Sequence, residues 1–290
     1  MRFQTNRPPA CTPADIRRDT ATICDRPNIV CVGDSITHGR ISADYVGLLR
    51  QRFRAKGYRF VNAGINGEMA YNALQRLEEI IACHPALVTV LIGSNDAYAA
   101  LNPGNADEAL KENGLPEFPT AETFRRDLSA LCFKLREATA VPMALLSLPP
   151  LGEDPQHAAY RQTQKYSQII KDVARQAGIA YLPVSERMDE LLEPHRHNPK
   201  LPFDRVTAAR YLRIKIRRFV LGQSLAAISR RHGYRLLTDG IHLNPSGATV
   251  IADAIEAFIR KVENNDSLRL PRFCISYNQG RLVDPQTPVS

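Results

Sequence analysis

Short apolar runs alternate with longer stretches of helical periodicity along most of the chain. Asn28 to Gly33 is apolar from Ile29 to Val32 and ends in glycine. A run without polar alternation predicts a strand buried on both faces. Tyr45, Leu48, Leu49 and Phe53 then recur at helical spacing, with Gly57 as a stop. Arg59 to Asn62 predicts a short second strand, and Leu74, Leu77 and Ile81 a helix that ends before Pro85. Leu87 to Ile92 predicts the third strand. Residues 97–119, punctuated by Pro103, Gly104, Gly114, Pro116 and Pro119, read as a long polar loop and a candidate lid or binding loop. Thr120 caps a helix with the stripe Phe124, Leu128, Leu131 and Leu135, and Met143 to Leu148 predicts a fourth strand broken by Pro149 and Pro150. A helix over residues 156–177, a fifth strand over Ile179 to Leu182 and an amphipathic helix through Val250, Ile251, Ala254, Ile255, Phe258 and Ile259 complete the pattern.

Strands alternating with helices of this length predict βα units, hence a parallel sheet with helices on both faces. In open sheets of that kind the active site lies at the carboxyl ends of the strands. Catalytic residues should therefore follow strands. The pattern divides the chain into an N-terminal extension (residues 1–27), one α/β domain (28–262) and a polar tail (263–290).

Composition changes this picture little. Apolar content of 44% and charged content of 23% are ordinary for a globular chain. The opening residues contain no apolar run of the kind a secretory signal needs, so a cytoplasmic location is the expectation. No window approaches the length of a membrane span. Six cysteines without a C-x-x-C pair, in a chain this long, are expected to be reduced thiols.

Charge changes it more. The net charge is +8, and nine Arg and Lys side chains fall between Arg205 and Arg235 with no Asp or Glu among them. The remainder of the chain is close to neutral, so that segment needs its own account.

Four short features fall where strands end or a helix begins. Gly33-Asp34-Ser35 follows the first strand, which exposes a serine hydroxyl beside backbone N–H groups at a helix start. Alone it is an ordinary turn. Asn62 to Gly67 follows the second strand, and Gly67 could bring its N–H close to a ligand. Gly93 to Asp96 follows the third strand, and the Asn95 amide could donate to an oxyanion, although an Asx turn is the plain alternative. Asp239-Gly240-Ile241-His242 precedes the last helix. A serine nucleophile needs a base, best a histidine held in one tautomer by a carboxylate, and Asp and His three positions apart can meet within one loop. Chance does not readily place a nucleophile, two donors and a base on one rim of a sheet.

Gly33 to Thr37, Gly67, Gly93 to Asp96 and Asp239 to Leu243 resemble, in order, the blocks of the SGNH hydrolases, the GDSL-type esterases and lipases. The similarity runs from about residue 28 to 262. It implies a flavodoxin-like three-layer α/β/α fold with a five-stranded parallel sheet. It also implies Ser35 as nucleophile, His242 as base, Asp239 as its orienting carboxylate, and an oxyanion hole from the Ser35 and Gly67 N–H groups with the Asn95 amide. Asp34, His38 and Asp96, beside these residues, are candidates for substrate contact. The resemblance implies a serine hydrolase of carboxylic esters (a short acyl or acetyl ester of a small molecule, sugar or lipid) that works through an acyl-enzyme on Ser35, with no metal or organic cofactor.

The chain departs from compact members of that family between residues 195 and 237, where Val206, Ala209, Leu212, Ile216, Phe219 and Val220 predict a basic amphipathic helix. A second helix is expected over Leu225 to Arg231, stopping near Gly233. Three readings compete for this helical insertion. It is a cap with a solvated basic face, or a surface for an anionic substrate or membrane. Alternatively, Ser224 to Gly233 resembles the first helix and turn of a helix-turn-helix. The residues that should form a recognition helix belong instead to the Asp239–His242 block, which argues against nucleic acid. A binding protein that keeps the fold without catalysis, using the basic helix to hold an anionic partner, is the different class of answer. His195 and His197 have no carboxylate or cysteine partner at metal-binding spacing and read as a polar loop.

Overall fold

The apolar runs become five parallel strands: β1 (Asn28–Gly33), β2 (Arg59–Gly64), β3 (Pro85–Leu91), β4 (Met143–Leu146) and β5 (Ala180–Leu182). Their spatial order is β2-β1-β3-β4-β5, the flavodoxin-like order. Every residue of β1, β3 and β4 is buried, as expected for strands covered on both faces. The computed structural model describes residues 8–18, 26–193, 199–205 and 208–265, with the side chains of residues 205–210 left out. His195, His197 and Val206, and nearly all of the C-terminal tail, lie outside the described residues.

The helices are α1 (Pro13–Arg18), α2 (Ser35–His38), α3 (Tyr45–Arg52), α4 (Ala70–Gln75), α5 (Leu77–Ile81), α6 (Ser94–Ala99) and α7 (Pro103–Glu112), followed by α8 (Ala121–Thr139), α9 (Ala158–Ala177), α10 (Val184–Leu192), α11 (Ala208–Phe219), α12 (Leu225–His232) and α13 (Pro245–Asn264). Contacts among α4, α5, α8 and α9 form one outer layer, while α3, α10 and α13 form the other. The chain runs outward from β1 to β2, then crosses back to β3 on the other side of β1. That reversal opens a crevice at the carboxyl ends of β1 and β3, where a doubly wound sheet binds its ligand. None of the described helices is long and apolar enough to cross a membrane.

Three local outcomes differ from the expected elements. Residues 97–119 are mostly helical rather than a loop, because Asn102 accepts from the Asn105 N–H and Pro103 sits at the first helical position of α7. A proline there starts a helix. The helix after β2 breaks at Arg76 into α4 and α5. The N-terminal extension holds an element the apolar pattern did not predict: Thr12 and Asp15 cap α1 reciprocally, Ile16 is buried, and the Asn62 N–H of the edge strand β2 donates to the Cys11 carbonyl (2.8 Å). This covers an edge that would otherwise offer unpaired backbone groups.

The described part of the insertion contains the two expected helices, α11 and α12. Ser224 caps α12 by accepting from the Ala227 N–H, and Gly233 ends it at φ 78°. Its two ends meet: the Leu201 N–H donates to the His232 carbonyl (3.1 Å) and the Tyr234 hydroxyl to the Leu201 carbonyl (2.7 Å). Cys11, Cys31, Cys83 and Cys132 are free thiols.

Candidate active site

Ser35 is the first residue of α2, directly after β1. Asp34 caps that turn by accepting from the Ile36 N–H (2.9 Å). The turn must be tight, because a Cβ on Gly33 would lie 2.1 Å from Thr37 Oγ1 and 2.4 Å from the Leu91 carbonyl. Only glycine allows α2 to leave the strand so close to β3. The first N–H groups of α2 have no helical carbonyl to serve, which leaves that of Ser35 available to an anion.

His242 arrives on a loop closed by the antiparallel bridge between Leu237 and Leu243. Asp239 Oδ1 accepts from the Ile241 N–H (3.0 Å) and the His242 N–H (2.7 Å), and its Oδ2 lies 2.8 Å from His242 Nδ1. The three-residue spacing thus makes an Asx turn whose second oxygen is free for the imidazole. His242 Nε2 is 3.0 Å from Ser35 Oγ. Asp239, His242 and Ser35 are 1%, 5% and 7% exposed, so the relay is almost entirely out of water. Burial pushes the Asp239 carboxyl up, but His242 beside it and the two backbone amides outweigh burial and hold it below its ordinary value.

The loop is moored from the sheet. Glu153, buried just beyond β4, accepts from three successive backbone N–H groups: Arg235 (2.8 Å), Leu236 (2.7 Å) and Leu237 (2.8 Å). The Gly152 N–H donates to the Gly240 carbonyl (2.7 Å) inside the Asp–His turn. Beyond the turn, Asn244 caps α13 through the Ser246 and Gly247 N–H groups and donates to Ser229 and Arg235.

Asn95 lies in the first turn of α6, and its Nδ2 donates to the Glu68 carbonyl (2.7 Å). A side-chain amide has two N–H bonds, so one orients the group and the other remains for a ligand. This bond brings Asn95 to the residue next to Gly67. Gly67 has φ 82°, a left-handed conformation that favours glycine, and a Cβ there would meet nothing within 4 Å. The Glu68 carboxylate is fixed by Arg76, whose Nε donates to it (2.8 Å) and whose Nη2 donates to the Ala63 carbonyl (2.6 Å) at the end of β2.

The three candidates for substrate contact sit differently. Asp34 and Asp96 are buried caps: the Asp96 carboxylate accepts from the Ala70 N–H (3.2 Å) at the start of α4. Burial pushes the carboxyls of both Asp34 and Asp96 up to about 7. His38 faces a cavity of about 410 Å³ between residues 8–14 and the end of β2, which neither Ser35, Asn95 nor His242 lines. Sequence reasoning missed Glu68, Arg76 and Glu153. None of the three carried a local signal, since each acts through partners distant in the sequence or through backbone groups.

The raised carboxyls have a measurable consequence. An acid whose folded pKa lies above its unfolded value keeps its proton only in the fold, so stability falls as pH rises from about 4 through 7. Asp96→Asn, which retains an acceptor for Ala70, is expected to raise the melting temperature relative to wild type by on the order of 5 °C more at pH 8 than at pH 5. Thermal unfolding at the two pH values checks this; equal shifts would place the Asp96 pKa near its ordinary value.

Among the described residues, no group of three or more His, Cys, Asp or Glu side chains is arranged to hold a metal ion. The sequence profile of the GDSL-like Lipase/Acylhydrolase family matches residues 31–250. Curated proteins gave no match. Among solved structures, the chain is similar to LAE5, described as an alpha/beta hydrolase enzyme from the metagenome of Lake Arreo, Spain (22% identity, 80% of this chain and 94% of that one, TM-score 0.56). It is also similar to the acetyl xylan esterase AlAXEase (20% identity, 80% and 99%, TM-score 0.56). A third is Axe2, an acetylxylan esterase from Geobacillus stearothermophilus (19% identity, 81% and 93%, TM-score 0.55). At these identities the likeness is one of fold.

Proposed function

The chain belongs to the GDSL-like lipase/acylhydrolase family, and from that premise we propose that it is a serine esterase acting on short acyl esters through an acyl-enzyme on Ser35. The observation that carries the reading is the continuous hydrogen-bonded chain from Ser35 Oγ through His242 to Asp239, with links of 3.0 and 2.8 Å.

In the proposed reaction Ser35 Oγ attacks the ester carbonyl and its proton passes to His242 Nε2. The carbonyl oxygen becomes an oxyanion, received by the N–H groups of Ser35 and Gly67 and the free N–H of the Asn95 amide. As the tetrahedral species collapses, the C–O bond to the alcohol breaks and His242 returns the proton to the leaving oxygen. Water, deprotonated by His242, then attacks the acyl-enzyme and releases the acid and free Ser35. Ionised Asp239 steadies the imidazolium in both halves.

Acetyl is the first acyl group to test, since two of the similar structures are named as esterases of acetylated xylan. Labelling with a fluorophosphonate followed by peptide mass mapping is expected to place one adduct on Ser35. A folded protein that stays unlabelled, and that turns over no p-nitrophenyl ester from acetate to palmitate and no acetylated sugar, would overturn the reading. Asn95→Ala is expected to lower kcat by on the order of 10²- to 10³-fold with a smaller change in KM, because its donor matters most when charge develops on oxygen. Steady-state kinetics on p-nitrophenyl acetate measure that split.

A further inference from the structure

The basic insertion touches the catalytic base itself. From α11, the Tyr211 ring stacks on the His242 imidazole with centroids 5.9 Å apart and planes inclined by 21°. One helical turn on, Lys215 Nζ lies 4.2 Å from the centre of the Tyr211 ring. Lys215 is half-buried, and among the described residues no carboxylate lies within ion-pair distance of it. Its flanking cations Arg213, Arg217 and Arg218 belong to the stretch from 205 to 235 that has no acidic residue. Asp239 is near enough to pull on Lys215, but its two oxygens are committed to His242 and the Ile241 N–H. Burial holds the Lys215 ammonium below its ordinary pKa and outweighs the pull of Asp239. A partly desolvated, unneutralised charge costs free energy in the empty protein, and an incoming anion relieves that cost.

Which part of the substrate meets this cation follows from the chemistry. His242 must return its proton to the leaving oxygen, so a side chain stacked on His242 borders the alcohol half of the ester and not the acyl half. A Tyr face next to the ammonium suits a planar or apolar carbon surface that carries the charge.

We propose that Lys215, with Tyr211, selects esters whose alcohol portion bears an anionic group such as a carboxylate or phosphate. The inference rests on the esterase reading and adds the substrate class to it. Exposed Leu212, Val220 and Leu221 on and beside α11 would also suit an anionic lipid surface, so the test must separate the two.

Two aryl acetates provide it: 4-acetoxybenzoate, whose leaving phenol carries a carboxylate, and 4-acetoxybenzamide, its uncharged counterpart. The ratio of their kcat/KM values is expected to fall by about fivefold to tenfold in Lys215→Met and to stay near wild type in Lys215→Arg, the size expected for one partly screened charge pair. An unchanged ratio in Lys215→Met overturns the proposal. A second measurement does not depend on turnover. Calorimetric titration of Ser35→Ala is expected to show 4-hydroxybenzoate binding at least about fivefold tighter than 4-hydroxybenzamide, with the difference lost when Lys215→Met is added. Equal binding of the two overturns the proposal even if no ester is turned over, whereas a missing fluorophosphonate adduct on Ser35 counts against the esterase reading alone. Co-sedimentation with phosphatidylserine vesicles that is lost in Lys215→Met, together with an unchanged substrate ratio, would overturn it in favour of a lipid surface.

Discussion

Replacing Ser35 with alanine is expected to lower ester turnover by on the order of 10⁴-fold or more while the protein remains folded. The serine hydroxyl is engaged by His242 and supports no other element. What shapes the turn is backbone and Asp34: the Ile36 N–H to the Asp34 carboxylate, the His38 N–H to the Asp34 carbonyl, and the Gly39 N–H to the Ser35 carbonyl. All three survive the substitution. His242 also stays in place, since Asp239 holds both its ring and its backbone N–H. The residual rate would come from the oxyanion donors and substrate binding alone. Initial rates on p-nitrophenyl acetate, paired with a melting curve, make the measurement. A folded variant with full activity would remove Ser35 from the chemistry.

Asp239→Asn is expected to be nearly as damaging, at on the order of 10³- to 10⁴-fold in kcat. The amide oxygen can still accept from Ile241 and His242, so the Asx turn persists. Its NH₂ group then faces His242 Nδ1, where it can only donate. That forces the imidazole proton onto Nε2 and leaves no lone pair aimed at Ser35. Because the Asp239 carboxyl is held below its ordinary value, its charge stabilises the fold above the unfolded pKa, and that contribution is lost as pH falls through the lower folded value. The melting temperature of the variant should therefore trail wild type at pH 7 and converge with it at strongly acid pH. A gap that stays constant across that range would show that the charge plays no part in stability.

The sheet and the relay were legible in the sequence for the same reason. Ile29 to Val32 and Leu87 to Leu91 are buried on both faces, so they are apolar runs broken only by Thr89, and whatever follows such a run is placed at the crevice. Ser35, Asn95 and the Asp239–His242 turn depend on local geometry of this kind. The expected insertion helices were legible too, down to the Gly233 stop. What could not be read depends on long-range contact. Glu153 meets amides 82 to 84 positions away, and one acid among polar neighbours leaves no period to detect. Tyr211 lies outside the apolar stripe of its helix, and nothing local shows that it covers His242. Asp34 and Asp96 sit beside the motif residues and look available to substrate, yet each carboxylate turns inward to a backbone amide. The stretch after Asn95 misled because its proline begins α7 where a loop was expected.

The Glu153 clamp gives the segment that carries His242 a fastening to the sheet. The His242 loop is fastened twice, through Glu153 and Gly152 to the segment that follows β4, and through Ser229 and His232 to α12 of the insertion. The insertion itself leaves and returns at one neck, formed by Leu201, His232 and Tyr234. A cap grafted at that neck has to keep the Ser229 and His232 contacts of α12 if the His242 loop is to stay in place, which leaves α11 as the exchangeable part. Under the proposed reading, a scaffold wired in this way varies α11 to suit its alcohol while Ser35, His242 and Asp239 keep their geometry.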